Sequence, residues 1–107
     1  MAEVIYTVKV WADPIGGQGY IDWLTGGHVA EVAGAPGVKW ARLIRLEETA
    51  EDGWVGFMAV YAFENREALA SYQASALFKS FTPIYEKYSG LFRVERALGE
   101  VIESHDR

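Results

Sequence analysis

The chain has 107 residues, of which 10 are basic and 15 are acidic, so its formal net charge is −5. It contains no cysteine, which excludes a disulfide framework, a thiolate nucleophile and a cysteine-ligated metal site. The acidic balance argues against nucleic-acid binding, which needs a basic patch. The length predicts one domain, which we place at residues 1–103, followed by a polar tail at residues 104–107.

The sequence shows no pattern typical of a signal peptide or of a membrane-spanning segment. No basic segment precedes an apolar one near the first residue, and no apolar run approaches the length of a membrane span. We therefore expect a cytoplasmic protein that has no membrane partner.

The first half of the chain follows the pattern strand, helix, strand. Tyr6 and Val8 belong to an alternating apolar face within residues 3–11, which predicts a strand. Apolar residues spaced three and four apart predict a helix over residues 20–32. Residues 38–47 are rich in β-branched and apolar side chains again and predict the second strand.

The second half of the chain predicts strand, helix, strand. The Asp-Gly pair at residues 52–53 is a turn signal, so residues 54–63 should form an antiparallel hairpin with the second strand. A helical region is predicted over residues 66–88, and Pro83 should split it into two helices because proline lacks a backbone donor. Residues 91–102 complete the order βαββαβ.

This order predicts an α+β, ferredoxin-like fold, in which a four-stranded antiparallel sheet carries both helices on one face. The first and third strands keep apolar residues on both faces, including Ile5 and Trp11 on the minority face of the first. A sheet that is apolar on both faces needs cover on both, and a second copy of the chain would supply it. We therefore expect a homodimer. A monomer with an exposed apolar sheet is the alternative.

The layout and several short motifs resemble the dimeric α+β barrel superfamily. The motifs are IYTVKV at residues 5–10, WLTGGHVAEV at 23–32, ARLIRL at 41–46 and SFTPIYEKYSG at 80–90. This superfamily includes antibiotic-biosynthesis monooxygenases, muconolactone isomerase and polyketide cyclases, and the likeness is strongest to small uncharacterised members. The resemblance implies that two ferredoxin-like sheets pair into a dimeric barrel. It implies little about the reaction, since the superfamily hosts many chemistries.

His28 is the leading candidate for chemistry, because histidine titrates near neutrality. It shares the predicted helix face of Ile21 and Leu24, so it should point toward the sheet. Gly26 and Gly27 precede it, and each costs a helix about 1 kcal/mol relative to alanine, a cost that is tolerated where a ligand approaches the backbone. The resemblance also places a histidine in this motif. The alternative is a half-buried packing histidine at a loosened helix end.

Three tyrosines could line a pocket with this histidine, between the sheet and the helices. Tyr6 lies on the first strand, Tyr61 on the third, and Tyr72 on the second helical region. We assign Tyr6 and Tyr61 a catalytic role beside His28, in which a hydroxyl holds an enolate or phenolate oxygen. We assign Tyr72 to substrate binding. Ordinary packing is the alternative for each tyrosine.

Two tryptophans and two arginines complete the candidate pocket. Trp23 and Trp40 could wall it, since small-molecule pockets are mostly apolar. Arg42 and Arg96 fall in the middle of strands, where a charge needs a partner or an anion. Either arginine could hold a substrate carboxylate, and pairing with an acidic side chain is the alternative. We assign Trp23, Trp40 and Arg42 to substrate binding.

Two further patterns are weak. The glycine-rich stretch at residues 16–19 lacks the spacing of a dinucleotide fingerprint, so we interpret it as a mobile rim loop. His28 and His105 are the only histidines, and only Glu31 lies at a helical spacing from the first of them. We therefore predict neither a metal nor a cofactor.

Two classes of function remain. The first is a small cofactor-independent enzyme that acts by proton transfer on an apolar, aromatic or polyketide-like molecule, with His28 as acid and base. It would be an isomerase, cyclase, lyase or monooxygenase. The second is a non-catalytic, ligand-binding or structural homodimeric barrel. A haem-binding protein with His28 as the axial ligand is a more distant alternative.

Overall fold

Four strands form one antiparallel sheet in the computed structural model, which describes residues 2–107. The strands are β1 (Val4–Ala12), β2 (Val38–Thr49), β3 (Val55–Phe63) and β4 (Phe92–Glu100). Their spatial order is β2-β3-β1-β4, so β2 and β3 form the expected hairpin and β4 returns beside β1. This is the ferredoxin-like order, and the predicted fold is confirmed.

The two central strands explain why the sheet has one buried face. β1 pairs with β3 along its whole length, from Val4 opposite Phe63 to Ala12 opposite Val55. Because strand side chains alternate between faces, Val4, Tyr6 and Val10 of β1 lie under the helices and are buried, and Val8 on the same face is partly buried. Ile5 lies on the other face, which no helix covers and which we call the open face.

The helix predicted over residues 20–32 is present but interrupted. It consists of α1 (Gln18–Trp23), a π-helical turn (Leu24–His28) and α2 (Val29–Ala33). The turn contains Gly27 at a φ of 121°, a backbone conformation that residues other than glycine rarely adopt. Gly26 and Gly27 both have non-helical backbone angles, so the helix is kinked within this turn and α1 and α2 are separate helices.

The two glycines of this turn do not mark a close approach of another group to the backbone. Gly26 and Gly27 are exposed, and a Cβ atom added to either would meet nothing within 4 Å. The positive φ alone accounts for Gly27. No other group of the described chain lies near these glycines, and the approach of a ligand to them stays a prediction.

The second helical region contains three pieces, not two. They are α3 (Arg66–Gln73), α4 (Ala76–Lys79) and α5 (Thr82–Lys87). The first break is at Ser75, whose side chain accepts a hydrogen bond from the backbone N–H of Phe78 and caps α4. Pro83 lies in the first turn of α5, where its missing N–H has no helical acceptor to lose. It therefore begins a helix and does not interrupt one.

The stretch at residues 16–19 is packed and is not a free rim loop. The backbone N–H of Gly17 donates to the carbonyl of Asp13, and the N–H of Asp13 donates to the carbonyl of Leu91, each over 2.9 Å. A Cβ atom at Gly17 would lie 2.7 Å from the first of these carbonyl oxygens and 2.9 Å from the second. Glycine is therefore needed here for the close approach of three backbone segments.

The core lies between the helices and the helix-covered face of the sheet. Aromatic side chains dominate it, and the buried ones are Tyr6, Tyr20, Phe57, Tyr61, Phe63, Tyr72 and Phe81. The open face carries large apolar side chains that nothing in residues 2–107 covers, and Ile44 there is 40% exposed. None of the helices in residues 2–107 has the length and apolar character that crossing a membrane requires.

The conformation of the π-helical turn leads to a prediction about its two glycines. Gly27→Ala should lower the free energy of unfolding by about 1 to 3 kcal/mol, because alanine is strained at a φ of 121°. Gly26→Ala is the matched control: its φ of −95° suits any residue, so its stability should stay within about 0.5 kcal/mol of the wild type. Urea unfolding measures both. Equal losses at the two positions would contradict this account of the turn.

Candidate functional site

His28 ends the π-helical turn and points into the core. Its imidazole lies against the indole of Trp23, with ring centroids 4.1 Å apart, and against the edge of Phe81 at 4.5 Å. The residue is only 8% exposed. Its Nδ1 atom is buried and has no hydrogen-bond partner among the described residues. A buried polar atom without a partner costs about 1–3 kcal/mol, so this arrangement needs an explanation.

Burial determines the charge of this histidine. Removal from water disfavours the imidazolium form and lowers the pKa of His28 from 6.5 to about 4. At neutral pH the ring is therefore uncharged. Its nitrogens can carry one proton and one free lone pair, so His28 is able to accept a proton.

A small cavity beside His28 is ringed by tyrosines. Tyr6 and Tyr61 are directly opposite one another on β1 and β3, and their rings stack with centroids 6.2 Å apart. α3 contributes Tyr72, which is 5% exposed. Burial raises the pKa of Tyr61 and of Tyr72, so both hydroxyls stay protonated and can donate hydrogen bonds. The structure thus brings His28 together with all three tyrosines that the sequence suggested.

Arg96 adds a positive charge to this cavity. It lies on β4 opposite Val8 of β1, on the face that the helices cover. Burial raises the pKa of Tyr20, Tyr72 and Tyr85, and the positive charge of Arg96 opposes that effect. Among the described residues that line the cavity, Arg96 is the one that carries a permanent charge. The cavity therefore favours a ligand that is, or becomes, an anion.

The cavity is small in this conformation. The room left for the centre of a water molecule is about 20 Å³, enough for about one water. The residues that line it are Tyr6, Val8, Val10, Tyr20, Leu24, His28, Ala59, Tyr61, Tyr72, Phe78, Tyr85, Val94 and Arg96. A polar head group can reach His28 here, but an aromatic ring system needs the helices to move.

Trp23 packs against His28 but does not line the cavity, and two more of the predicted binding residues lie elsewhere. Trp40 and Arg42 share a face of β2, as expected, but it is the open face of the sheet, with the guanidinium of Arg42 4.6 Å from the Trp40 ring centroid. The register of β2 shifts between Val38 and Trp40. Val38 packs toward the helices, and one extra residue turns all those that follow to the opposite face. The assignment of Trp40 and Arg42 to the His28 pocket is therefore wrong.

Three further polar residues line the cavity, of which only Arg96 was a candidate from the sequence, as a possible partner of a substrate carboxylate. They are Tyr20 on α1, Tyr85 on α5 and Arg96 on β4. A signal for Arg96 was present, because it continues the apolar alternation of Phe92 and Val94 and so shares their face. The two tyrosines carried no such signal, since an aromatic residue on an inward helix face is indistinguishable from core packing.

The surroundings of His28 do not suit a metal or a haem. No group of three or more His, Cys, Asp and Glu side chains is placed to hold a metal ion within residues 2–107. The imidazole of His28 is covered by Trp23 and Phe81, and the adjoining space of about 20 Å³ does not admit a macrocycle. The haem-binding alternative has no support in this geometry.

A comparison with known protein families identifies the family of this chain. Residues 3–102 match the family described as Domain of unknown function (DUF4286). The chain belongs to this family. A comparison with curated proteins finds no match.

Solved structures agree with the chain over nearly its whole length. A dimeric ferredoxin-like protein from an uncultured marine organism has a TM-score of 0.77 at 12% identity, over 98% of this chain and 100% of that one. SnoaB, a cofactor-independent oxygenase from Streptomyces nogalater, has a TM-score of 0.69 at 17% identity, over 97% of both chains. A Bacillus cereus protein provisionally named an antibiotic biosynthesis monooxygenase has a TM-score of 0.68 at 14% identity, over 100% of both. These likenesses confirm the fold to which the sequence resemblance pointed.

The low pKa of His28 predicts a pH-dependent stability. The folded state holds the proton less tightly than the unfolded chain, so the unfolded state takes up a proton as the pH falls from 6.5 toward 4. The wild type should therefore lose roughly 3 kcal/mol of stability over this range relative to His28→Gln, which has no imidazole to protonate. Urea unfolding at several pH values measures the difference, and carboxylates common to both proteins cancel.

His105→Gln is the matched control, because that histidine lies in the exposed tail. It should retain the wild-type slope of stability against pH. A His28→Gln protein whose slope equals that of the wild type would show that His28 is not buried as an uncharged ring.

Proposed function

We propose that this chain is a small enzyme that removes a proton from an acidic C–H or O–H group of an apolar molecule, with His28 as the base. The observation that carries the proposal is the uncharged, buried imidazole whose Nδ1 has no partner, in a cavity lined by tyrosines and one arginine. A base, hydroxyl donors and a positive charge around one space are what stabilise a developing enolate or phenolate.

The first step moves one proton and creates two charges. The free lone pair of His28 accepts the proton of the substrate, which leaves an imidazolium and a substrate anion. A histidine with a pKa of about 4 is a weak base, but an adjacent anion raises the pKa of an imidazolium. Arg96 and the hydroxyls of Tyr6 and Tyr61 supply the complementary contacts to the anionic oxygen. The substrate is therefore an acidic ketone, enol or phenol whose anion is delocalised.

The second step decides the class of reaction. In an isomerase or cyclase, the imidazolium of His28 returns the proton to a different atom of the substrate. In a monooxygenase, the substrate anion reacts with molecular oxygen as the co-substrate: a CH₂ group of the substrate is oxidised to a carbonyl that keeps one oxygen atom, and the other oxygen atom leaves as water with the two hydrogens of that group. The likeness to SnoaB, a cofactor-independent oxygenase, supports including the second route, and both routes share the same deprotonation.

A non-catalytic binding or structural barrel is the second candidate. The observation that favours it is the tight packing of His28 between two aromatic rings, beside room for about one water molecule. This reading gives the tyrosines a packing role. It also predicts that the protein accelerates no proton exchange.

Proton exchange on a model ketone separates the two candidates. The wild-type protein should speed the exchange of the acidic C–H protons of 2-tetralone with D₂O, followed by ¹H NMR, because His28 can remove such a proton. His28→Gln should lose this acceleration by about 10²-fold or more, whereas His105→Gln should retain it. Tyr61→Phe should keep the fold and lose a smaller factor.

The same exchange measurement can also rule out a catalytic role for His28. If the wild type and His28→Gln give the same exchange rate, at protein concentrations where both are folded by circular dichroism, His28 is not a base and the binding barrel is the correct reading.

We further propose that two copies of the chain pair through the open face. That face carries Ile44, Met58 and Val60 with the rings of Trp11 and Trp40, and no other element of the chain covers it within residues 2–107. Exposed apolar patches of this kind are uncommon on monomers. The similar structure from an uncultured marine organism is a dimeric ferredoxin-like protein, which supports the same assembly here.

A charge on the open face tests this assembly. The wild type should sediment at twice the 11.9 kDa mass of one chain. Ile44→Glu should sediment as a monomer at micromolar concentration, because it would bury an unpaired carboxylate between two sheets. Ile15→Glu is the matched control, since Ile15 is 89% exposed in a loop outside the sheet, and it should remain a dimer. A wild-type protein that sediments at the mass of one chain would refute the pairing.

A further inference from the structure

A second space lies on the outer side of the wall that closes the His28 cavity. It is a groove between the end of α2 with its following loop and the junction of α3 and α4. Its lining residues are Glu31, Gly34, Ala35, Pro36, Ser71, Tyr72, Ser75 and Leu77. Its volume is about 430 Å³, within the range of about 300–1,000 Å³ that small-molecule sites occupy. The inner cavity, in contrast, has room for about one water.

One residue belongs to both spaces. Tyr72 lines the inner cavity and the outer groove, so it stands in the wall between them. α4 completes this wall, with Phe78 toward the cavity and Leu77 toward the groove. Ser75 ties the two parts together: its hydroxyl donates to the carbonyl of Tyr72 over 2.6 Å and accepts from the N–H of Phe78 over 3.2 Å.

The charges of the two spaces differ in sign. The groove has Glu31 as its charged residue among the described lining, while the cavity has Arg96. A ligand with an anionic or acidic end would therefore direct that end inward to Arg96 and away from Glu31. The small lining residues of the groove, such as Gly34 and Ala35, leave depth for an uncharged apolar group.

We propose that the groove binds the apolar body of the substrate, and that only its acidic head passes Tyr72 to reach His28. This inference rests on the proposed proton-transfer function and names its substrate class: a phenolic or enolic head attached to an extended alkyl chain. The division explains how a cavity with space for one water can serve a larger molecule. The wall of Tyr72 and α4 moves aside for the head group, and the groove holds the alkyl chain of the substrate.

A pair of phenols tests the division of the site. 4-Methylphenol and 4-hexylphenol share the head group and differ by five methylenes. Burial of each methylene tightens binding by up to about fourfold, so 4-hexylphenol should bind the wild type at least about tenfold more tightly in calorimetric titrations. Both phenols should also shift the ¹H NMR signals of the His28 ring, because the head is the same in each.

Substitutions that fill the groove test whether it binds the alkyl chain of 4-hexylphenol. Ser71→Trp should abolish the tenfold gain and leave the affinity for 4-methylphenol within about twofold, because the indole occupies the groove alone. Ala70→Trp is the matched control: Ala70 is exposed on the same helix and does not line the groove, so this variant should keep the gain. Ala35→Phe fills the groove from its opposite side and replaces Ser71→Trp if that protein does not fold.

The outcomes separate this inference from the proposed function. If both phenols shift the His28 signals but bind equally well, the groove does not hold the chain, and His28 keeps its proposed role. A second outcome is that 4-hexylphenol binds more tightly than 4-methylphenol, that Ser71→Trp removes this gain, and that the His28 signals stay unchanged. The groove is then a separate site and the inference is refuted. If neither phenol moves the His28 signals and His28→Gln exchanges protons at the wild-type rate, the proposed function itself fails.

Discussion

The sheet is covered on one face only, and this constraint arranges the rest of the molecule. All the helices lie against the face that contains Tyr6, Tyr61 and Phe57, so the core, the cavity and the histidine are all on that side. The other face keeps large apolar side chains that no described part of the chain covers. Burying one face creates the candidate site, and leaving the other open creates the surface through which we propose the chain to dimerise.

The helical layer is irregular where it meets the cavity. α1 and α2 are joined by a π-helical turn, and the region after β3 is divided into three short helices. Regular long helices would pack the sheet without gaps, whereas short pieces leave spaces at their junctions. The inner cavity lies beside the first irregularity, at His28, and the outer groove lies at the second, near Ser75. The same interruptions therefore account for both spaces.

The polar groups of the cavity have an energetic cost that packing alone does not offset. An imidazole with an unpaired buried Nδ1 is less favourable than an apolar side chain of the same shape. Burial raises the pKa of Tyr61 and of Tyr72, and Arg96 is the permanent charge at the cavity. Such a set is consistent with a site whose polar atoms are completed by a ligand, and this is the physical basis for placing function on this side of the sheet.

The amino-acid sequence by itself determined the order of elements, the fold and the inward position of His28 and Tyr6, because these follow from local periodicity. The third strand is apolar on both faces, so its sequence did not show which face carries Tyr61. Alternation also showed correctly that Trp40 and Arg42 share a face. Only the tertiary structure decided which face, since one extra residue at the start of β2 reverses every later side chain and leaves no signal in composition. The space beside His28 likewise depends on how separate helices meet the sheet, and no local pattern encodes that contact.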